Sequence, residues 1–179
     1  STCRHLFIRW NNDDTYDITK QLAPVITGTQ PLLITLEIWP SPGGKILGDK
    51  IIAQITEGRF DKKITQLCNY LSKQPQQVLI RFAPEMEVYV DVYPWQKQSS
   101  GIYIEAFRHV AELVRKNAPA AKIVWAPAGH PGAEEFWPGT KWVDMISVTL
   151  KGKSELMSKY YPEPSTLTNV IKRKILRTR

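Results

Sequence analysis

Arg81 and Glu85 stand in one segment that reads Val78-Leu-Ile-Arg81-Phe-Ala-Pro-Glu85-Met-Glu87-Val-Tyr-Val-Asp91-Val-Tyr93-Pro94-Trp95. Arg81 interrupts an apolar strand, and a buried guanidinium needs a carboxylate partner. Glu85, just past the strand, is the natural candidate. A carboxyl group set among aromatic rings has its charged form disfavoured by desolvation, so it keeps a proton to give to a leaving group. That is the chemistry of an acid that breaks a glycosidic bond, and a structural Arg81–Glu85 ion pair is the plain alternative.

The chain carries 6 tryptophans, and sugar rings present flat C–H faces that pack on aromatic rings. Trp10, Trp39, Tyr93, Trp95 and Trp137 fall at expected strand ends or in loops and are candidate sugar contacts, whereas Trp125 lies inside a strand and reads as core. Glu37 ends the strand before the one leading to Glu85. Neighbouring strands run about 4.8 Å apart, but both carboxyls would then lie on one side of a cleft, so Glu37 reads as a substrate or structural contact. Glu134 and Glu135 sit in a Gly- and Pro-rich loop and read as solvated. His5, His109 and His130 are scattered over a strand, a helix and a loop. They make no metal triad, and only His130, at a strand end, is placed to touch substrate. No GxSxG nucleophile motif and no cofactor signature is present. Cys68 falls on an apolar helical stripe and reads as a core thiol, with a bridge to Cys3 left open.

The elements that must position these groups alternate strand and helix. Apolar, β-rich runs occur at 6–10, 32–39, 78–82, 123–125 and 145–150, each bounded by polar, Pro or Gly residues as buried parallel strands are. Helical patterns lie between them at 15–26, with Asp13, Asp14 or Thr15 as caps, and at 48–57, 61–73 and 101–116. The last repeats Ile102, Ala106, Phe107, Val110, Leu113 and Val114 and stops before Pro119. Such alternation means an α/β fold with a parallel sheet and right-handed crossovers. Gly43-Gly44 and Gly48 form no nucleotide-binding fingerprint. Polar and aromatic residues collect instead at several strand ends, the arrangement of a (β/α)8 barrel. A whole barrel takes about 250 residues and this chain has 179, so the expectation is one domain over 1–179, a partial barrel of about five to six βα units, truncated at both ends.

Composition agrees with one globular domain: 42% apolar, 23% charged, with no apolar run long enough to span a bilayer and no signal-like N-terminus. The net charge of +7 would raise nucleic acid as a partner. Lys172, Arg173, Lys174, Arg177 and Arg179 carry five of those charges, which leaves +2 for residues 1–171 and argues against nucleic acid. With Leu167, Val170, Ile171 and Ile175 they make an amphipathic helical pattern whose basic 172–179 end could meet a membrane or an anionic polymer.

Several segments together carry a resemblance: Arg81-Phe-Ala-Pro-Glu85-Met-Glu, Tyr93-Pro-Trp95, Tyr103-Ile-Glu-Ala-Phe-Arg-His-Val110, Ile123-Val-Trp-Ala-Pro-Ala-Gly129, Phe136-Trp-Pro-Gly139 and Trp142-Val-Asp-Met-Ile-Ser-Val-Thr149. These resemble family 26 glycoside hydrolases, the β-mannanase family, and most nearly its branch associated with bacterial exopolysaccharide genes. The resemblance runs collinearly over about 30–150. It implies a retaining mechanism on a (β/α)8 barrel, with Glu85 as acid/base and Arg81 orienting it. It also implies Tyr93 and Trp95 in the sugar subsites, together with Trp137 and Asp144. Pro84 stands where mannanases usually carry His, and Glu87-Val88 where they carry Asn-Gly. The family's nucleophile is a glutamate ending the seventh strand, and no strand ending in Glu is legible after Leu150. By the resemblance the chain would start near the second strand and stop before the seventh.

The expected function is hydrolysis of a β-linked polysaccharide such as mannan or β-glucan, in the periplasm or outside the cell, without cofactor or metal. The alternative is a non-catalytic carbohydrate-binding or scaffold protein. A barrel opened at both ends is further expected to self-associate or to pair with missing segments.

Overall fold

The computed structural model describes residues 3–10, 17–39, 50–89, 93–149 and Lys172. The amphipathic pattern of 165–179, Lys172 apart, lies outside the described residues, as do the candidate caps Asp13, Asp14 and Thr15 and the side chain of Trp10.

Among the described residues five strands form one sheet: β1 (Arg4–Trp10), β2 (Leu32–Ile38), β3 (Val78–Phe82), β4 (Lys122–Trp125) and β5 (Met145–Ile146). They pair in the order β1-β2-β3-β4-β5, every pair parallel. The α/β class with a parallel sheet therefore holds. Chain order without a reversal is the arrangement in which right-handed crossovers bring every helix to the same face. Among the described residues the order shows no switch point of a doubly wound sheet.

Four helices supply that face: α1 (Ile18–Leu22), α2 (Ala53–Thr56), α3 (Asp61–Leu71) and α4 (Ser100–Asn117). The first two are shorter than the sequence pattern suggests. Asp17 sets the start of α1, its Oδ1 accepting from the Thr19 and Lys20 amides at 3.0 and 3.4 Å. Residues 51 and 52 join the core as a turn ahead of α2. In α4, Ser99 caps the first turn and the helix ends at Asn117, ahead of Pro119. His109 on α4 bonds Asp61 of α3 at 2.7 Å, a satisfied polar tie between the two long helices.

The side-chain period of two splits the sheet into two unlike faces. Leu32, Ile34, Leu36 and Ile38 of β2, each fully buried, join Ile80, Phe82, Ile123 and Trp125 and the inner sides of all four helices in one apolar cluster. The opposite face carries His5, Phe7, Arg9, Thr35, Glu37 and Arg81, with Phe7 56% exposed. β5 is only two residues long where the sequence suggests six. Its ladder ends with the Ser147 amide on the Trp125 carbonyl, because β4 stops just ahead of Pro127, which has no amide proton to continue it.

Cys3 and Cys68 are both free thiols, Cys3 exposed and Cys68 fully buried on α3. Burial pushes the Cys68 thiol up to about 12, so it is neither ionised nor reachable at neutral pH. A disulfide-exchange reagent at mildly alkaline pH is expected to label Cys3 alone in the native protein and Cys68 only on unfolding. Rapid labelling of both in the folded chain would contradict this packing.

Candidate functional site

Glu85 owes its place to its backbone. β3 ends at Phe82, and the chain then takes two left-handed turns at residues with side chains, Ala83 (φ 40°) and Glu85 (φ 59°). Each such residue costs roughly 1–3 kcal/mol and persists only where its surroundings impose it. Here they do. The Ala83 amide donates to the Leu36 carbonyl at 3.1 Å and the Glu85 amide to the Ala126 carbonyl at 2.8 Å, so the turn is pinned between the exits of β2 and β4. From the other side, Gln96 Nε2 donates to the Glu85 carbonyl at 3.0 Å and Trp95 Nε1 to the Pro84 carbonyl at 2.8 Å. Glu85 is 8% exposed within this clamp.

Gln96 also ties down the aromatic segment. Its Oε1 accepts from the Tyr93 amide at 3.2 Å and its own amide donates to the Tyr93 carbonyl at 3.1 Å. Tyr93 lies flat on Trp95, with ring centroids 4.7 Å apart and planes 6° from parallel. Trp39 meets both edge-on at 6.3 and 6.1 Å. Trp95 is buried, so it serves as the floor of this cluster, while Tyr93 and Trp39 are half-buried and keep surface open.

Glu37 is 2% exposed at the end of β2, and its Oε2 accepts from Arg9 Nε at 3.0 Å and Trp39 Nε1 at 3.2 Å. The Arg9 guanidinium lies 5.4 Å over the Trp39 ring, a cation–π contact that fixes the indole. Arg81 spends its hydrogen bonds on Thr35 Oγ1, at 2.9 Å, and His5 Nε2, at 3.0 Å. Burial pulls the Arg81 guanidinium down from its ordinary value, and the carboxylates of Glu85 and then Glu37 oppose this. The Tyr93 phenol is pushed up, by burial first and then by Glu85 and Glu37. It therefore keeps its proton at neutral pH and remains a hydrogen-bond donor.

Glu85, Arg81, Glu37, Trp39, Tyr93 and Trp95 are thus one constellation at the C-terminal ends of β2 and β3. His130 lies in the loop after β4 with its side chain exposed, and its amide, with that of Gly129, donates to Glu87 Oε1 at 3.1 and 2.8 Å. Glu87 is therefore a loop anchor. Trp137 packs edge-on against buried Trp125 at 5.1 Å. Asp144 accepts from the Ile123 amide at 2.8 Å and pairs with Arg115, at the N-terminal end of β4 and β5 and so away from Glu85. Glu134 and Glu135 are exposed, in the 3-10 turn Ala133–Phe136.

Sequence reasoning missed Thr35, His5, Arg9 and Gln96. Thr35 had a signal, since a lone hydroxyl inside the apolar run of β2 and a lone guanidinium inside that of β3 ask to be satisfied together. Gln96 had none. The described residues contain no group of three or more His, Cys, Asp or Glu that could hold a metal ion.

No family model matches the chain. It is similar to endoglucanase H of Acetivibrio thermocellus, 24% identical over 163 residues, an alignment covering 80% of this chain. The chain spans only 16% of the length of that relative.

Proposed function

We propose that this chain is part of a glycoside hydrolase that cleaves a β-linked polysaccharide, with Glu85 as the general acid and Arg81 as its electrostatic partner. The observation that carries the reading is the position of Glu85. Its carboxyl group stands on a strained turn clamped at both ends, beside an aromatic cluster with one open side formed by Tyr93 and Trp39. Preorganisation of this kind is what a proton donor to a leaving oxygen requires. The distant likeness to an endoglucanase favours a glucan as substrate, and the segments that resemble family 26 favour mannan as the other choice. Such a substrate would place the protein in the periplasm or outside the cell.

Five parallel strands in chain order, with the helices on one face and Phe7 exposed on the other, support a (β/α)8 barrel of which these are consecutive units. The exposed face would then be barrel interior, covered by further strands.

A second reading, sugar binding without turnover, is favoured by the state of Glu37. Retaining hydrolysis needs a second carboxyl about 5–5.5 Å from the acid, and the neighbouring carboxylate already answers to Arg9 and Trp39. The full-length protein incubated with β-glucan and with mannan separates the two. Release of reducing ends together with quenching of tryptophan fluorescence supports the hydrolase, and quenching alone supports the binding protein. In either case Tyr93→Ala is expected to weaken binding roughly tenfold, the worth of one aromatic stacking contact. Neither quenching nor hydrolysis with any β-linked glycan would overturn both.

A further inference from the structure

Behind Arg81, the polar face of the sheet holds two residues that the acid chemistry above does not use, His5 and Thr35. Register sets Phe7 of β1 beside Thr35 of β2 and Thr35 beside Arg81 of β3, with His5 one alternation below on β1. Arg81 Nε donates to Thr35 Oγ1 at 2.9 Å, His5 Nε2 lies 2.7 Å from the same hydroxyl, and Arg81 Nη2 lies 3.0 Å from His5 Nε2. Thr35 is fully buried, and the His5 ring rests on Phe7 with centroids 4.1 Å apart.

Donor and acceptor counting assigns the proton. A guanidinium has donors and no acceptor, so the nitrogen facing it must present its lone pair. His5 Nε2 is therefore bare, the ring is neutral, and its proton is on Nδ1. The Thr35 hydroxyl accepts from Arg81 Nε with its oxygen, and its own proton shares the single lone pair of His5 Nε2 with Arg81 Nη2. Protonation of His5 would turn Nε2 into a donor aimed at a cation.

We propose that neutral His5, with Thr35, is a positioning residue for Arg81, and that protonation of His5 releases the guanidinium from the place where it acts on Glu85. Among the described residues the charged groups on this face are Arg81 from β3, Glu37 from β2 and Arg9 on the same strand as His5, with Lys122 of β4 three strands along at the His5 level. Burial first, and Arg81 next, lower the titration of His5 from its ordinary 6.5, while Glu37 opposes them. The sign follows from which state holds more protons. Between the lowered folded value and 6.5 the unfolded chain binds more, so the contribution is complete above 6.5 and is lost as pH falls through the folded value.

The consequence for catalysis rests on the hydrolase reading, whereas the contact itself can be tested without it. In the full chain with 15N-labelled His and Arg, the expected His5 spectrum is that of the Nδ1-protonated tautomer with a midpoint below 6.5, moving back toward 6.5 in Arg81→Met. The Arg81 Nε proton is expected to be protected from exchange at neutral pH and to lose protection on acidification. In His5→Gln, whose amide oxygen accepts at every pH, protection should persist into acid. Glucan turnover should fall about fivefold from neutral to mildly acidic pH in the wild type, the worth of one hydrogen bond to the group that acts on Glu85, and by less than about twofold in His5→Gln. A tautomer protonated on Nε2, or an acid profile unchanged in His5→Gln, would overturn the proposal. Intact pH-dependent Arg81 protection with no glucan binding would instead remove the hydrolase reading and leave the His5–Arg81 contact standing.

Discussion

Replacing Glu85 by Gln in the full-length protein is expected to lower turnover of β-glucan or mannan by roughly 10²–10⁴-fold, the range a positioned general acid supplies, while the fold and the affinity for the glycan stay close to wild type. The separation of effects follows from the geometry. The backbone of Glu85 is fixed at both ends, its amide by Ala126 and its carbonyl by Gln96. An isosteric amide keeps those bonds and cannot deliver the proton. A Glu85→Ala variant should retain turnover selectively on aryl glycosides, whose leaving groups depart without protonation. Full activity of Glu85→Gln on polysaccharide would end the hydrolase reading built on this residue. A folded variant that still quenches tryptophan fluorescence but no longer cleaves would fix Glu85 in the chemical step.

The largest expected loss of stability attaches to Trp95. It is 1% exposed, supports the full face of Tyr93 and donates to the Pro84 carbonyl. Trp95→Ala removes a buried aromatic, which costs about 3–5 kcal/mol, and leaves a buried carbonyl without its donor, about 1–3 kcal/mol more. For a domain of this size each kcal/mol moves Tm by about 2–4 °C, so a fall of about 10 °C or more is expected by calorimetry. Trp95→Phe keeps part of the stack and loses the indole donor with some buried volume, so it should fall between. Glycan binding should weaken in step, because Tyr93 loses its floor. A Tm within about 2 °C of wild type for Trp95→Ala would mean that the segment after Glu85 is not packed on Trp95 as described.

The two expectations describe one device from opposite sides. Strain at Ala83 and Glu85 is stored where the chain leaves β3, and the Trp95 and Gln96 contacts hold it. Weakening the clamp should therefore lower stability and binding together, whereas altering the carboxyl alone should lower only turnover.

Much of the architecture was legible in the linear order of residues. Apolar, β-rich runs at 32–38 and 78–82, broken only by Thr35, Glu37 and Arg81, read as strands of a parallel sheet, and the spacing of Ala106, Phe107, Val110 and Val114 as one face of a helix, since burial acts through periods of two and 3.6. Glu85 and Arg81 drew notice for the same reason, as charges set in apolar surroundings that must be compensated. The partners that compensate them were not legible. Thr35 and His5 reach Arg81 through strand register, and Gln96 reaches Glu85 by folding back across eleven residues. Trp39, Tyr93 and Trp95 look alike in sequence as aromatics at strand ends, yet only the packing makes Trp95 a floor and leaves Tyr93 open. What the sequence by itself determined was thus the element order, the core and the charges in need of partners, because these follow from local hydrophobic periodicity. Which group answers which charge was decided only by the tertiary structure, because hydrogen bonds join atoms by distance and angle, and the sheet sets both through pairings 30 to 76 residues apart along the chain.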